Sequence, residues 1–147
     1  MNWLKKLRHF DAIRVLAVMG KDADAQALQE IADKANWHLG FAANYESALE
    51  HLQREEYSVI LCDRDWMSDP MGWCAAVQKL VAASPHGCVI LTSTVKDDRL
   101  WQELTELGGY DVLIKPFQPE KVTRSIEFAW SHLKTRRQPT KPVGQCR

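Results

Sequence analysis

Five short apolar segments alternate with five segments of helical periodicity, and this alternation restricts the fold more than any other feature of the chain. Apolar runs of this length, bounded by polar residues, are typical of buried strands, and apolar residues three and four apart are typical of helices. The strands are predicted at 14–18, 37–42, 57–62, 88–93 and 111–114, and the helices at 23–36, 45–55, 73–83, 97–107 and 120–133. A strand followed each time by a helix predicts one α/β domain, a doubly wound parallel sheet with helices on both faces.

Local signals mark several ends of these elements. Asn44 is a favourable N-cap for the second helix, and Pro119 suits the first turn of the last one. Pro85 and Gly87 follow the third helix, and Gly108 with Gly109 follows the fourth. The predicted ends therefore agree with the predicted periodicity.

The formal charge is zero over 147 residues, but it is unevenly distributed. Residues 1–13 carry +2, residues 14–127 carry −7 and residues 128–147 carry +5. We predict a basic, amphipathic N-terminal extension over 1–13, a folded domain over 14–133 and a basic flexible tail over 134–147, which contains two prolines. The acidic body argues against a dedicated nucleic-acid binder.

No apolar run approaches the roughly 20 residues that a membrane span needs, and residues 1–10 lack the continuous apolar segment of a secretory signal. Trp3, Leu4, Leu7 and Phe10 fall on one helical stripe, for which packing on the domain is favoured over a membrane surface. The four cysteines contain no C-x-x-C pair, so we expect free thiols in a reducing cytoplasm.

Function in such sheets lies at the carboxyl ends of the strands. Three of those ends carry chemically capable residues: Asp63 after the third strand, Thr92 in the fourth and Lys115 after the fifth. The first strand is followed instead by Met19 and Gly20.

Three segments in order, 57–63, 89–93 and 108–117, resemble the response-regulator receiver domains of two-component signalling. The resemblance covers residues 14–133 and implies a flavodoxin-like (βα)5 fold. It implies that Asp63 is the phosphoryl acceptor, that the Thr92 hydroxyl contacts the phosphoryl group and that Lys115 pairs with a phosphoryl oxygen. It also implies a cis peptide between Lys115 and Pro116, which is permissible for an X-Pro bond.

The chain departs from the family pattern at several positions. Met19 and Gly20 stand where the family has two acidic residues that hold Mg²⁺, and Val112 stands at the aromatic switch position. The loop 64–72 is one residue longer than usual before its glycine, with its proline displaced to Pro70.

These departures predict a pocket in which Asp63 and Lys115 form an ion pair, so that the net charge of the pocket is near zero. Asp65 was considered as an acid/base partner of Asp63, but strand alternation argues that the two side chains do not converge. Asp63 and Asp65 would form a weak Mg²⁺ site at best, with Asp22 as a further candidate. No cofactor is expected, and Mg²⁺ only if the site still functions.

Four tryptophans bear on contacts. Trp73 and Trp130 are predicted to pack in the core, Trp66 to cover the pocket or meet a partner, and Trp101 to lie on the face formed by the fourth helix, fifth strand and fifth helix.

The leading interpretation is an atypical receiver-like signalling module, phosphorylation-independent or weakly phosphorylated, that acts by protein–protein contact. The alternative is a conventional response regulator phosphorylated on Asp63 by a sensor histidine kinase. Partners are then that kinase or an output protein, on the face just described, without nucleic acid; a homodimer stays open. No enzyme activity is expected beyond self-phosphorylation and dephosphorylation at Asp63. A third option, an accessory that binds nucleic acid or membrane through the basic ends, is weaker.

Overall fold

A computed structural model describes residues 13–20, 23–65 and 72–137, with side chains described as far as Leu133. The strands are β1 (Arg14–Val18), β2 (His38–Ala42), β3 (Val59–Asp63), β4 (Cys88–Ser93) and β5 (Asp111–Ile114). The helices are α1 (Ala23–Ala35), α2 (Tyr45–Arg54), α3 (Gly72–Ala83), α4 (Asp98–Glu106) and α5 (Pro119–Arg137). The predicted order of elements is confirmed, and ends differ by one or two residues except at the last helix.

All the strand pairs are parallel, in the order β2-β1-β3-β4-β5. The chain therefore reverses its direction of progress between β1 and β3, the point where ligands bind in open α/β sheets. The flavodoxin-like (βα)5 prediction is confirmed.

Alternating strand residues build two core layers, because successive side chains point to opposite faces of a sheet. Val15 and Ala17 of β1 pack in the layer under α1 and α5. Leu16 and Val18 pack in the other layer, under α2, α3 and α4. Both layers contain fully buried residues of β3 and β4, which explains why these strands read as continuous apolar runs.

The caps follow the sequence signals. The Asn44 side chain accepts a hydrogen bond from the Ser47 N–H at 2.7 Å, and Asp97 caps α4 in the same way through the Arg99 N–H. Gly108 follows α4 with a φ of 97°, a conformation that favours glycine.

The last helix corrects one predicted boundary. We expected the flexible tail to begin at residue 134, whereas α5 continues to Arg137. Residues 134, 136 and 137 are Lys or Arg, residue types of high helix propensity, and Pro139 lies two residues beyond the helix end. The rest of the predicted tail, and nearly all of the N-terminal extension, lie outside the described residues. In the part that is described, no helix is both long enough and apolar enough to cross a membrane.

Candidate functional site

The three residues predicted from the strand ends meet at the carboxyl edge of the sheet. Asp63 is the last residue of β3, and it is paired in register with Thr92 of β4. Lys115 follows β5, where its backbone N–H bonds to the Ser93 carbonyl at 2.8 Å. All three are buried, with 3%, 0% and 8% of their surface exposed. The Lys115–Pro116 peptide bond is cis, as the resemblance implied.

Lys115 and Asp63 form a direct ion pair. The Lys115 ammonium donates to both carboxylate oxygens of Asp63, at 2.9 and 3.1 Å. Burial alone would lower the pKa of Lys115, but the hydrogen bonds and negative charges of Asp63 and Asp24 outweigh it and raise that pKa. The lysine is therefore charged throughout the neutral range.

Thr92 lies at the edge of this pair. Its hydroxyl donates to Asp63 Oδ1 at 3.4 Å, a long and therefore weak hydrogen bond. The same carboxylate oxygen thus receives the lysine ammonium and the threonine hydroxyl from two different strand ends.

Asp65 corrects a prediction. We expected Asp63 and Asp65 to diverge, but both carboxylates contact Lys115, with Asp65 Oδ2 at 3.3 Å from Nζ. The prediction misapplied strand alternation, because residues two apart point to the same face of a strand; in addition, β3 ends at Asp63 and the chain then turns. The Asp65 N–H donates to Asp63 Oδ1 at 3.1 Å, and Asp65 Oδ2 accepts from the Thr94 N–H at 2.6 Å.

Asp24 was missed by the sequence analysis. It lies in the first turn of α1, and its Oδ2 is 3.2 Å from Lys115 Nζ. The available signal was an acidic residue at the start of the helix that follows β1, and Asp22 was the candidate predicted there. Asp22 lies outside the described residues.

The positions that replace the acidic pair carry no carboxylate into the site. Met19 is buried in the core layer of α1 and α5, and Gly20 follows it with a half-buried backbone. Asp24, Asp63 and Asp65 surround Lys115, and Arg64 lies 3.8 Å from Asp65 Oδ1. Three negative charges against two positive ones give the site a formal charge of −1, so the predicted balance near zero, which counted Asp63 and Lys115 alone, was wrong. Across the described residues, no group of three His, Cys, Asp or Glu side chains is placed to hold a metal ion.

The tryptophan predictions have separate outcomes. Trp73 is 2% exposed and Trp130 is half-buried against the α1/α5 layer, so both pack as predicted. Trp101 on α4 is 53% exposed. Val112, at the predicted switch position, is partly buried against the other layer. Trp66 and Pro70 lie in 66–71, outside the described residues.

A (βα)5 sheet with an acid and a lysine at the ends of the two strands that flank β4 defines a class of open α/β proteins that carry their site at the carboxyl edge of the sheet. Residues 15–127 match the model of the response regulator receiver domain family, which is more than three quarters of the chain. The chain therefore belongs to the response regulator receiver domain family.

Similar proteins agree with this assignment. The chain is 26% identical over 121 residues to the protein CcdB of Bacillus subtilis, covering 81% of this chain and 98% of that one. It is 25% identical over 114 residues to the chemotaxis protein CheY of Thermotoga maritima, covering 77% and 93%. A solved response regulator from Thermotoga maritima superposes with a TM-score of 0.75 at 18% identity, covering 82% of this chain and 98% of that one. Receiver domains interact with kinases and output proteins and generally bind Mg²⁺ when functional.

Proposed function

We propose that this receiver domain is an atypical signalling module that acts by protein–protein contact and is not switched in the usual way by phosphorylation. The observation that carries the proposal is the position of the Lys115 ammonium, within 2.9–3.3 Å of the carboxylates of Asp63, Asp65 and Asp24. In this arrangement the protein's own cation lies among the acids of the site.

Charge and geometry support this role for Lys115. A Mg²⁺ ion needs near-octahedral oxygen ligands at about 2.0–2.1 Å. The three carboxylates are arranged around an ammonium, and a metal ion would have to displace it while the raised pKa of Lys115 keeps it charged. Met19 adds a buried thioether, which is a poor ligand for a hard cation. The residues present therefore do not fit Mg²⁺ in this arrangement, and the proposed function does not depend on this ion.

A Mg²⁺ titration followed by calorimetry tests the proposal. We expect weak binding by the natural chain and tighter binding after Gly20→Asp, alone or with Met19→Asp, because these changes restore acids after β1. Gly20→Asp alone is informative because Gly20 is less buried than Met19, so the fold should tolerate an acidic side chain better at position 20. Tight binding by the natural chain, or no gain by folded variants, would contradict the proposal.

A conventional phosphoacceptor is the second candidate, and Asp24 is the observation that favours it. With Asp24 and Asp65 the site has three carboxylates, although none follows β1 directly. Asp63 would be the nucleophile toward a phosphohistidine of a sensor kinase, and Lys115 and Thr92 would contact the phosphoryl oxygens. This is the only catalysis we assign to the chain in either case. The intact mass of the protein after incubation with acetyl phosphate and Mg²⁺, which reveals a phosphoryl adduct on Asp63, separates the two candidates.

A protein partner is proposed for the face of α4, β5 and α5. Its support is a set of exposed apolar side chains at 37–53% exposure: Val95, Trp101 and Ile114. Such a patch favours a partner contact, with a kinase, an output protein or a second copy. Sedimentation over a range of concentrations, with Trp101→Ser as the comparison, tests the second copy; a dimer unaffected by this change would place the contact elsewhere. A cytoplasmic setting fits Cys62 and Cys88, whose thiols are reduced and buried.

A further inference from the structure

A long apolar groove separates α1 from α5 on the face of the sheet opposite α2, α3 and α4. Its volume is about 890 Å³. The lining includes Ala27, Ile31 and Ala35 of α1, with Phe117 and Phe128 on the other side. Phe128 is 61% exposed, the highest value among the large apolar side chains that the structure describes. An aromatic side chain left in water beside an apolar groove marks a surface that another segment covers.

The charged residues along this groove are of both signs, with a small acidic excess. Three acids and two bases line it, for a formal charge of −1: Glu30, Glu120 and Glu127 against Lys34 and Arg124. An occupant with an apolar side and a positive charge would complement both the lining and this balance.

Residues 1–12 have both properties. Trp3, Leu4 and Leu7 share one helical stripe, and three basic residues against Asp11 give the segment a charge of +2. These residues lie outside the described part of the chain. We propose that residues 1–12 dock in the groove between α1 and α5, with Trp3, Leu4 and Leu7 against Ile31 and Phe128.

The attachment point makes the docking geometrically possible. Ile13 is buried in the same core layer as Ile31 of α1 and Ile126, Ala129 and Leu133 of α5, so the segment joins the fold on this side of the sheet. The residues of α1 that line the groove, 27–35, rise over roughly 12 Å, and the six steps from Leu7 to Ile13 reach up to about 20 Å when extended.

Charge and tethering favour this occupant over the others. A second copy packed symmetrically would bring the acidic edge of the groove against itself, because a two-fold interface uses the same patch on both chains. An anionic membrane gains no attraction from the acidic excess of the groove, whereas the basic segment does. The segment is also attached to the domain, which gives it an effective concentration in the millimolar range.

A cysteine pair tests the docking in the full chain. In a background with Cys74→Ser and Cys146→Ser, Leu7→Cys is combined with Thr123→Cys in the groove. The matched control combines Leu7→Cys with Gln102→Cys, an exposed position on α4 on the opposite face. With oxidised glutathione we expect an intramolecular disulfide in the groove pair at least about tenfold faster than in the control. Adding Phe128→Ser should reduce this rate toward that of the control.

Several results would overturn the proposal. Equal rates in the two pairs would mean that the segment does not prefer the groove. A disulfide between two chains in the groove pair would assign the groove to a second copy. Loss of the groove disulfide on adding phosphatidylglycerol vesicles, with binding of the chain to them, would assign the apolar stripe to a membrane surface.

Discussion

Lys115 is the residue on which the site depends most. Its ammonium joins four parts of the chain: the first turn of α1, the end of β3, the turn after it and the end of β5. Removing one partner of a buried ion pair lowers the stability by more than the intact pair contributes, because the other charge stays buried without compensation. Because the pKa of Lys115 is raised, its contribution to stability is fully present at neutral pH. It is lost only when the pH rises past an ordinary lysine pKa and through the raised value.

Replacing Lys115 with Met should lower the free energy of unfolding by about 3 kcal/mol near neutral pH. The change leaves three carboxylates facing one another with Arg64, 3.8 Å from Asp65, to offset one of the three charges, and protonation in mildly acidic buffer should recover part of the loss. Urea denaturation at the two pH values measures both effects. Lys121→Met, at an exposed position of α5, is the control and should change stability little. A loss for Lys115→Met that is equal at both pH values would show that repulsion is not its cause.

Cys62 gives a second prediction about a single residue. Burial, with the nearby charge of Asp63, raises the pKa of its thiol from the usual value near 9 to about 12. The folded protein keeps this proton while the unfolded chain loses it, so stability should fall as the pH rises from about 9 to 12. Cys62→Ala should make this decline shallower.

A thiol reagent provides the complementary measurement. Before unfolding, the half-exposed Cys74 should react ahead of Cys62 and Cys88, which are buried. Rapid reaction of Cys62 in folded protein would contradict the burial on which its raised pKa depends.

Sequence reasoning found part of the site. Asp63, Thr92 and Lys115 each end or follow a strand, and strand ends can be read from apolar runs. Asp24 and Asp65 could not be located in that way, because their positions depend on the first turn of a helix and on a turn after a strand. The net charge of the site therefore required the structure.

At the scale of elements, caps and patterns defined most boundaries. The strands β4 and β5 have the predicted bounds. Asn44 caps α2, and Asp97 caps α4. The end of α5 was missed because Lys and Arg without apolar periodicity do not distinguish a solvated helical turn from a tail.

Asn44→Ala should lower the free energy of unfolding by about 1 kcal/mol, because the N–H of Ser47 loses its acceptor. Asn44→Asp is the matched control, since it keeps an acceptor oxygen and adds a charge that suits a helix N-terminus. Chemical denaturation of the three proteins measures the difference. If the Asp variant loses as much as the Ala variant, the cap does not act through that hydrogen bond.

On the scale of the whole molecule, the parallel sheet follows from the repeated strand-helix order, and the family assignment agrees with it. The sheet brings together residues 24, 63, 65 and 115 from separate parts of the chain. Whether a phosphoryl donor reacts at this site depends on whether the Lys115 ammonium moves away from the three carboxylates.

The intact mass of the protein after incubation with acetyl phosphate and Mg²⁺ shows whether Asp63 accepts a phosphoryl group. We expect no phosphoryl adduct of about 80 Da, or only a minor fraction that Mg²⁺ does not increase, in protein shown to be folded by circular dichroism. An Asp63→Asn variant treated in parallel identifies modification elsewhere. A nearly complete adduct that requires Mg²⁺ and is absent from the Asp63→Asn variant would contradict the account and establish a working phosphoacceptor.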